Sequence, residues 1–245
     1  MILDIYKDSF EFSSRKVLNL IILGLLSLFN ILIIPLVFFY GYNYRVVKLS
    51  TQSMINGDDV PPDFDDFKKM FVDGLKYIVV EFVYLIVPLI IMIASVFYKN
   101  AILLFIGLIL MVILQLFALL AIPHMAANDD SLKSAFEFSE INGIMASIGY
   151  GRYILTYAGI VVIYIAILMI VTILLSIIFA VLGIATSFIS LNGVGTVSLI
   201  GTIIFNFVLF FLVAPYLTMF QNRCIGLIYN LGSSFFLTSS YYFLY

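Results

Sequence analysis

Cysteine and histidine occur once each in 245 residues, and only 11% of the side chains are charged. A single cysteine, Cys224, excludes an intrachain disulfide and a cysteine-based metal cluster. A single histidine, His124, leaves little for chemistries that lean on imidazole. No HExxH, CxxC pair, Ser-His-Asp set, Walker loop or GxGxxG strand–helix junction occurs. The sequence therefore predicts no enzyme: no catalytic residues, no cofactor and no metal. The net charge of −2 gives no basic field, so nucleic acid is not an expected partner.

What the chain has instead is apolar surface. Hydrophobic residues make up 64% of it, and the mean hydropathy is +1.18. A soluble domain is about 45–50% apolar and about 25% charged. So few charges cannot cover so much apolar surface in water, and the lipid bilayer is the expected solvent. A crossing helix needs about 20 apolar residues. Residues 17–40, 77–98 and 101–122 meet this, the last two separated only by Lys99-Asn100. Between Arg152 and Arg223 lie 70 residues without a charge, enough for two spans joined by a turn in "SLNGVGT" at 190–196. The predicted fold is all-α: one membrane domain over 1–245, a polytopic helical bundle of about five spans (17–40, 77–98, 101–122, 153–182 and 197–220) with amphipathic interfacial helices. The run at 17–40 is too long for a signal-peptide core and lacks a small-residue cleavage site, so it reads as a retained span.

Lys and Arg mark the cytoplasmic side. With five spans, the segments 41–76, 124–152 and 221–245 share one side and carry eight, against four on the other. The expectation is a multi-pass cell-membrane protein with its larger loops cytoplasmic and its N-terminus outside. The three positives before residue 17 argue against the last point. A re-entrant first segment removes the conflict.

Nine of the 26 charges fall in "DDVPPDFDDFKKMFVDGLKY" at 58–77. From Asp63, the residues Phe64, Phe67, Phe71 and Leu75 recur at helical spacing, with the charges largely off that stripe. The pattern predicts an amphipathic interfacial helix over 63–76, N-capped by Asp63, phenylalanines down on the bilayer, Lys76 leading into the next span. "GYNYR" at 41–45, "PPDFDDF" at 61–67, "FVDGLKY" at 71–77 and "AFEFSEI" at 135–141 resemble the membrane-protein family called domain of unknown function 4013, whose members are found largely in archaea. The likeness covers about residues 9–229. It implies a small polytopic membrane protein and brings no catalytic residues. "SFEFS" at 9–13 echoes "AFEFS" at 135–139.

Asn30, Glu81, Gln115 and Asn206 are the polar residues inside predicted spans. They either line a polar path or hydrogen-bond across helices and fix packing, the commoner use. Glu81 binds a cation or proton, or sits at headgroup depth near Lys76. His124 relays protons or caps the third span. Residues 128–131, Asn-Asp-Asp-Ser, suit a metal or, more ordinarily, an N-cap before the helix holding Phe136 and Phe138. Ser176, Ala180 and Gly183 suggest a close-packing edge. The function expected is a structural, assembly or partner-recruiting membrane component. Its partners are the lipid bilayer and an unidentified protein. The alternative is a small transporter or permease subunit with a polar path near Glu81, Asn30, Gln115 and Asn206.

Overall fold

In hydrocarbon a main chain must satisfy its own N–H and C=O groups, and for long apolar runs the helix does so within each segment. The computed structural model describes residues 2–188 and 193–242, with side chains at 2–188 and 194–234. Among these residues it is helical throughout, without a strand: α1 (Ile2–Ser14), α2 (Val17–Leu28), α3 (Ile33–Ser50), α4 (Phe67–Phe97), α5 (Ala101–Ala127), α6 (Phe138–Ile148), α7 (Tyr150–Ser187), α8 (Gly193–Phe207) and α9 (Ala214–Tyr242). A 3-10 turn, Ser134–Phe136, precedes α6, and a π-helical turn, Val208–Val213, joins α8 to α9.

Four helices are long and apolar enough to cross a membrane: Phe67–Phe97, Ala101–Ala127, Tyr150–Ser187 and the run Val194–Ser234. At about 1.5 Å per residue, even the shortest reaches about 40 Å, more than the hydrocarbon thickness of about 30 Å. Their most apolar windows are hardly buried, none of that window in Tyr150–Ser187 and 22% in Phe67–Phe97. In water such flanks would be untenable; facing lipid they are what the solvent asks for. α4 pairs with α5 and α7 with α8. The first pair turns at Lys99-Asn100, as the sequence suggests, with Asn100 Oδ1 accepting the main-chain N–H groups of Ile102 and Leu103. Most of the 190s turn, residues 189–192, lies outside the described residues, as do the side chains of the aromatic tail from 235.

The segment 17–40 is not one span, which corrects the sequence reading. It breaks at 29–32 into α2 and α3. Pro35 supplies the reason. It lacks the N–H that would bond to the Ile31 carbonyl, and it sits at least cost in a helix's first turn, where that N–H is unpaired anyway. α3 accordingly begins at Ile33. α2 has 12 residues, and at about 1.5 Å each it reaches only about 18 Å, too short to cross. Both ends of this hairpin return to one place. Lys16, before α2, donates to Asp63 at 2.6 Å, and Lys48, near the end of α3, donates to Asp130 at 2.7 Å. The hairpin is re-entrant.

α1 therefore lies at the same end as the large loops, not opposite them. Its apolar stripe, with Ile5, Tyr6 and Phe12, packs along α9, and Tyr6 donates to the Thr156 carbonyl at 2.6 Å. Eleven of the twelve Lys and Arg cluster at this end, leaving Lys99 alone at the far turn. We call this charged end the head.

The expected interfacial helix at 63–76 is also corrected. Helix begins at Phe67 and runs unbroken into the span. Asp66, in the left-handed region at φ 36°, is the N-cap, its carboxylate accepting from Lys69 N–H. Asp63 instead binds Lys16. Phe67 and Phe71 lie edge-on against Phe38 of α3, and Phe64 stacks on Tyr42 with centroids 4.2 Å apart. α3 and α4 cross where Gly41 faces Met70 and Gly74 faces Val37. A Cβ on either glycine would run into the facing main-chain carbonyl. Of the suggested close-packing edge, Gly183 meets Val197 of α8 and Ser176 lines a gap beside it, while Ala180 is exposed.

Candidate functional site

The head is built from the segments that stood out in the sequence. In "GYNYR" every side chain after the glycine has a partner. Tyr42 donates to the Pro62 carbonyl at 3.0 Å, and Asn43 Oδ1 accepts from Asn222 at 2.9 Å. Tyr44 donates to Asp130 at 2.8 Å. Arg45 reaches the Asp65 carboxylate at 2.6 Å and the Asp65 and Asp66 carbonyls at 2.8 and 2.9 Å. Four bases, Arg15, Lys16, Arg45 and Arg223, thus grip the acidic loop at 57–66. Asp59, Asp63 and Asp65 are each paired with one of these bases, while Asp63 and Asp65 stay exposed at the surface.

Asp130 is a second node. Lys48 donates to both its carboxylate oxygens at 2.7 Å, and Lys76 donates to its carbonyl at 2.8 Å. Burial pushes the carboxyl up, but the hydrogen bonds from Lys48 and Tyr44 and the nearby ammonium charge outweigh it and hold it below the ordinary carboxylate value. The loop 128–131 is therefore an anchor. It does not cap the following helix: α6 starts at Phe138, after Glu137.

A buried clamp closes the head. Arg223 Nε donates to Asp8 Oδ1 at 2.8 Å, and Nη2 donates to Asp59 Oδ2 at 3.0 Å. The guanidinium lies 4.5 Å from the Phe12 ring centroid. Asp8 also accepts the Asn56 main-chain N–H at 2.7 Å. Arg223 and Asp8 are 0% and 2% exposed. Burial raises the Asp59 carboxyl, and the hydrogen bonds from Ser53 and Arg223 more than reverse that, leaving it lowered. Sequence reasoning passed over this pair because 215 residues separate its members. A signal existed: Asp8 interrupts the apolar stripe of α1, and Arg223 is the only charge after Arg152. Cys224, beside it, is wholly buried.

The third cluster surrounds His124, at the end of α5. Its side chain is 4% exposed. Nδ1 lies 2.9 Å from the Tyr229 hydroxyl. Nε2 has no hydrogen-bond partner and faces two carboxylates, Glu137 Oε2 at 3.6 Å and Glu140 Oε2 at 3.4 Å. A cavity of about 300 Å³ opens beside it. The imidazole is buried in the protein and is not the cap of α5, which is Asn128. The three groups form the metal-ligand-like cluster found among the described residues.

The intramembrane polar residues do not assemble into a path. Gln115 donates to Glu81 at 3.3 Å, joining α4 to α5. Asn30 is exposed at the re-entrant tip, and Asn206 is exposed and donates to Thr202 of its own helix at 2.8 Å.

Apolar flanks of spanning length, a re-entrant hairpin and a charged head define a multi-pass helical membrane protein. Residues 24–176, more than half of the chain, match the family described as Protein of unknown function (DUF4013), and the chain belongs to it. No curated protein and no solved structure matches the chain.

Proposed function

We propose that this protein is a structural or assembly component of the cell membrane, presenting its head to a protein partner on the cytoplasmic side. One observation carries the reading: the polar residues are spent on locking the head, above all in the buried Arg223–Asp8 clamp, and not on a route through the spans. A fixed head on lipid-facing helices suits a platform. Eleven of twelve basic residues at the head support a cytoplasmic orientation. The exposed Lys7, Glu11, Lys68 and Lys69 offer a charged outer surface for the partner. No enzymatic activity is part of this reading. The Glu81–Gln115 pair favours the second reading, a small transporter.

Two measurements separate them. Photo-crosslinking residues placed at Lys7 and Lys68 in cells should give one discrete heteromeric adduct. Purified protein in liposomes should show no proton or cation flux above empty vesicles. Flux abolished by Glu81→Gln would overturn the platform reading.

A further inference from the structure

We propose that His124, Glu137 and Glu140 bind a divalent first-row transition ion of the zinc class, clasping the end of α5 to the start of α6. The argument starts from the unpartnered nitrogen. His124 is almost wholly buried, yet Nε2 has no hydrogen bond and is aimed between two carboxylates. A buried polar atom left so is costly, of order 1–3 kcal/mol. Nδ1 is engaged by the Tyr229 hydroxyl at 2.9 Å and the Asn128 amide nitrogen at 3.3 Å, which leaves Nε2 as the ring nitrogen open to a metal. In the neutral form with its lone pair on Nε2, the ring faces two anions, an arrangement repulsive without a cation and attractive with one.

The distances fit a small ion. Tetrahedral zinc with bonds of about 2.0–2.1 Å sets its ligand atoms about 3.3 Å apart. The imidazole-to-carboxylate distances are 3.4 and 3.6 Å, and all three ligand atoms lie within 4.8 Å of one another. Only the gap between the carboxylates has to close. Their side chains, 33% and 59% exposed, are free to swing inward. Calcium wants six to eight oxygens at about 2.3–2.6 Å, which this set does not offer. One imidazole and two carboxylates without a thiolate suit zinc or manganese. The fourth position faces the cavity beside Asn128 and Tyr229, where water can occupy it. Sequence spacing hid the set, because its histidine lies 13 residues before the first glutamate and on a different helix.

The test uses full-length protein in detergent micelles, stripped with EDTA and titrated calorimetrically with Zn²⁺, its retained metal counted after dialysis. One ion per chain is expected. His124→Gln and Glu140→Gln should each weaken Zn²⁺ by at least about tenfold, because loss of an outer-shell partner alone costs 10–100-fold. Tyr229→Phe should cost about tenfold with stoichiometry kept. Glu140 projects outward, so its variant should elute and unfold like the parent. X-ray absorption should find only nitrogen and oxygen, at about 2.0–2.1 Å. Absence of retained zinc in the parent, or equal affinity in parent and both ligand variants, overturns the proposal. So does a sulfur neighbour, which would put the ion at Cys224.

Discussion

Changing Asp8 to Asn leaves the Arg223 guanidinium in the interior of the head without its buried anion. Both side chains are sealed from solvent, at 1% and 0% exposure, with the ion-pair contact at 2.8 Å. Removing one member of such a pair costs about 3–5 kcal/mol, because the remaining charge stays desolvated. The other anion does not make this up. The Asp59 side chain is 31% exposed, so Asp59→Asn should cost only about 1 kcal/mol. Replacing both buried partners, Asp8→Leu with Arg223→Met, should recover most of the loss, since a packed apolar pair avoids the desolvation cost altogether. Two readouts are suitable: reversible SDS-titration unfolding in mixed micelles, and the rate at which the buried Cys224 thiol becomes open to a maleimide. A loss of 3–5 kcal/mol raises the labelling-competent population by about two to three and a half powers of ten. The reasoning fails if Asp8→Asn stays within about 1 kcal/mol of the parent, or if Asp59→Asn costs more than Asp8→Asn.

Two further outcomes follow from the geometry. With Cys224→Ser as background, single cysteines replacing Lys7 and Asp58 should be shielded together from an impermeant thiol reagent in intact cells, while one replacing Lys99 reacts; Lys7 and Lys99 labelling alike would dismiss the re-entrant hairpin. The Asp59 and Asp130 carboxyls are held below the ordinary carboxylate value, so they contribute stability that is full above the unfolded value of about 3.9 and is lost as pH falls through the folded value; Asp130→Asn should flatten the acid side of a melting-temperature profile, and an unchanged acid slope would count against this.

The spans were legible because lipid imposes a long-range rule that a linear sequence displays directly: 70 residues between Arg152 and Arg223 without a charge can hardly mean anything else. The family resemblance was legible too, and the structure explains its motifs. Gly41 of "GYNYR" and Gly74 of "FVDGLKY" lie at the one crossing of α3 and α4. The first segment departs from its expectation because hydropathy averages over a window and hides the two-helix break at 29–32. The helix expected over 63–76 starts only at Phe67 because Asp66 sits in the left-handed region and Arg45 holds the Asp65 carbonyl, a tertiary contact that periodicity cannot register. The clamp and the histidine cluster depend on pairings across 215 and 13 or more residues. Local pattern offers no distance information at that range. A charge on an apolar stripe, as at Asp8, is the nearest substitute.

The π-helical turn at Val208–Val213 has a consequence for Arg223. Such a turn holds one residue more than the α-helix around it. With 3.6 residues per turn, one extra residue rotates everything downstream by about 100°. Pro215 follows at once and leaves the Phe211 carbonyl without its usual donor, and Gly24 of the re-entrant hairpin packs against that carbonyl so closely that any side chain would collide. The twist is thus held in place from outside by the hairpin. Shortening this turn by one residue would swing the guanidinium about a quarter of the way round the helix, away from Asp8. The first arm of that hairpin thereby sets the compass bearing of the charge that closes the head.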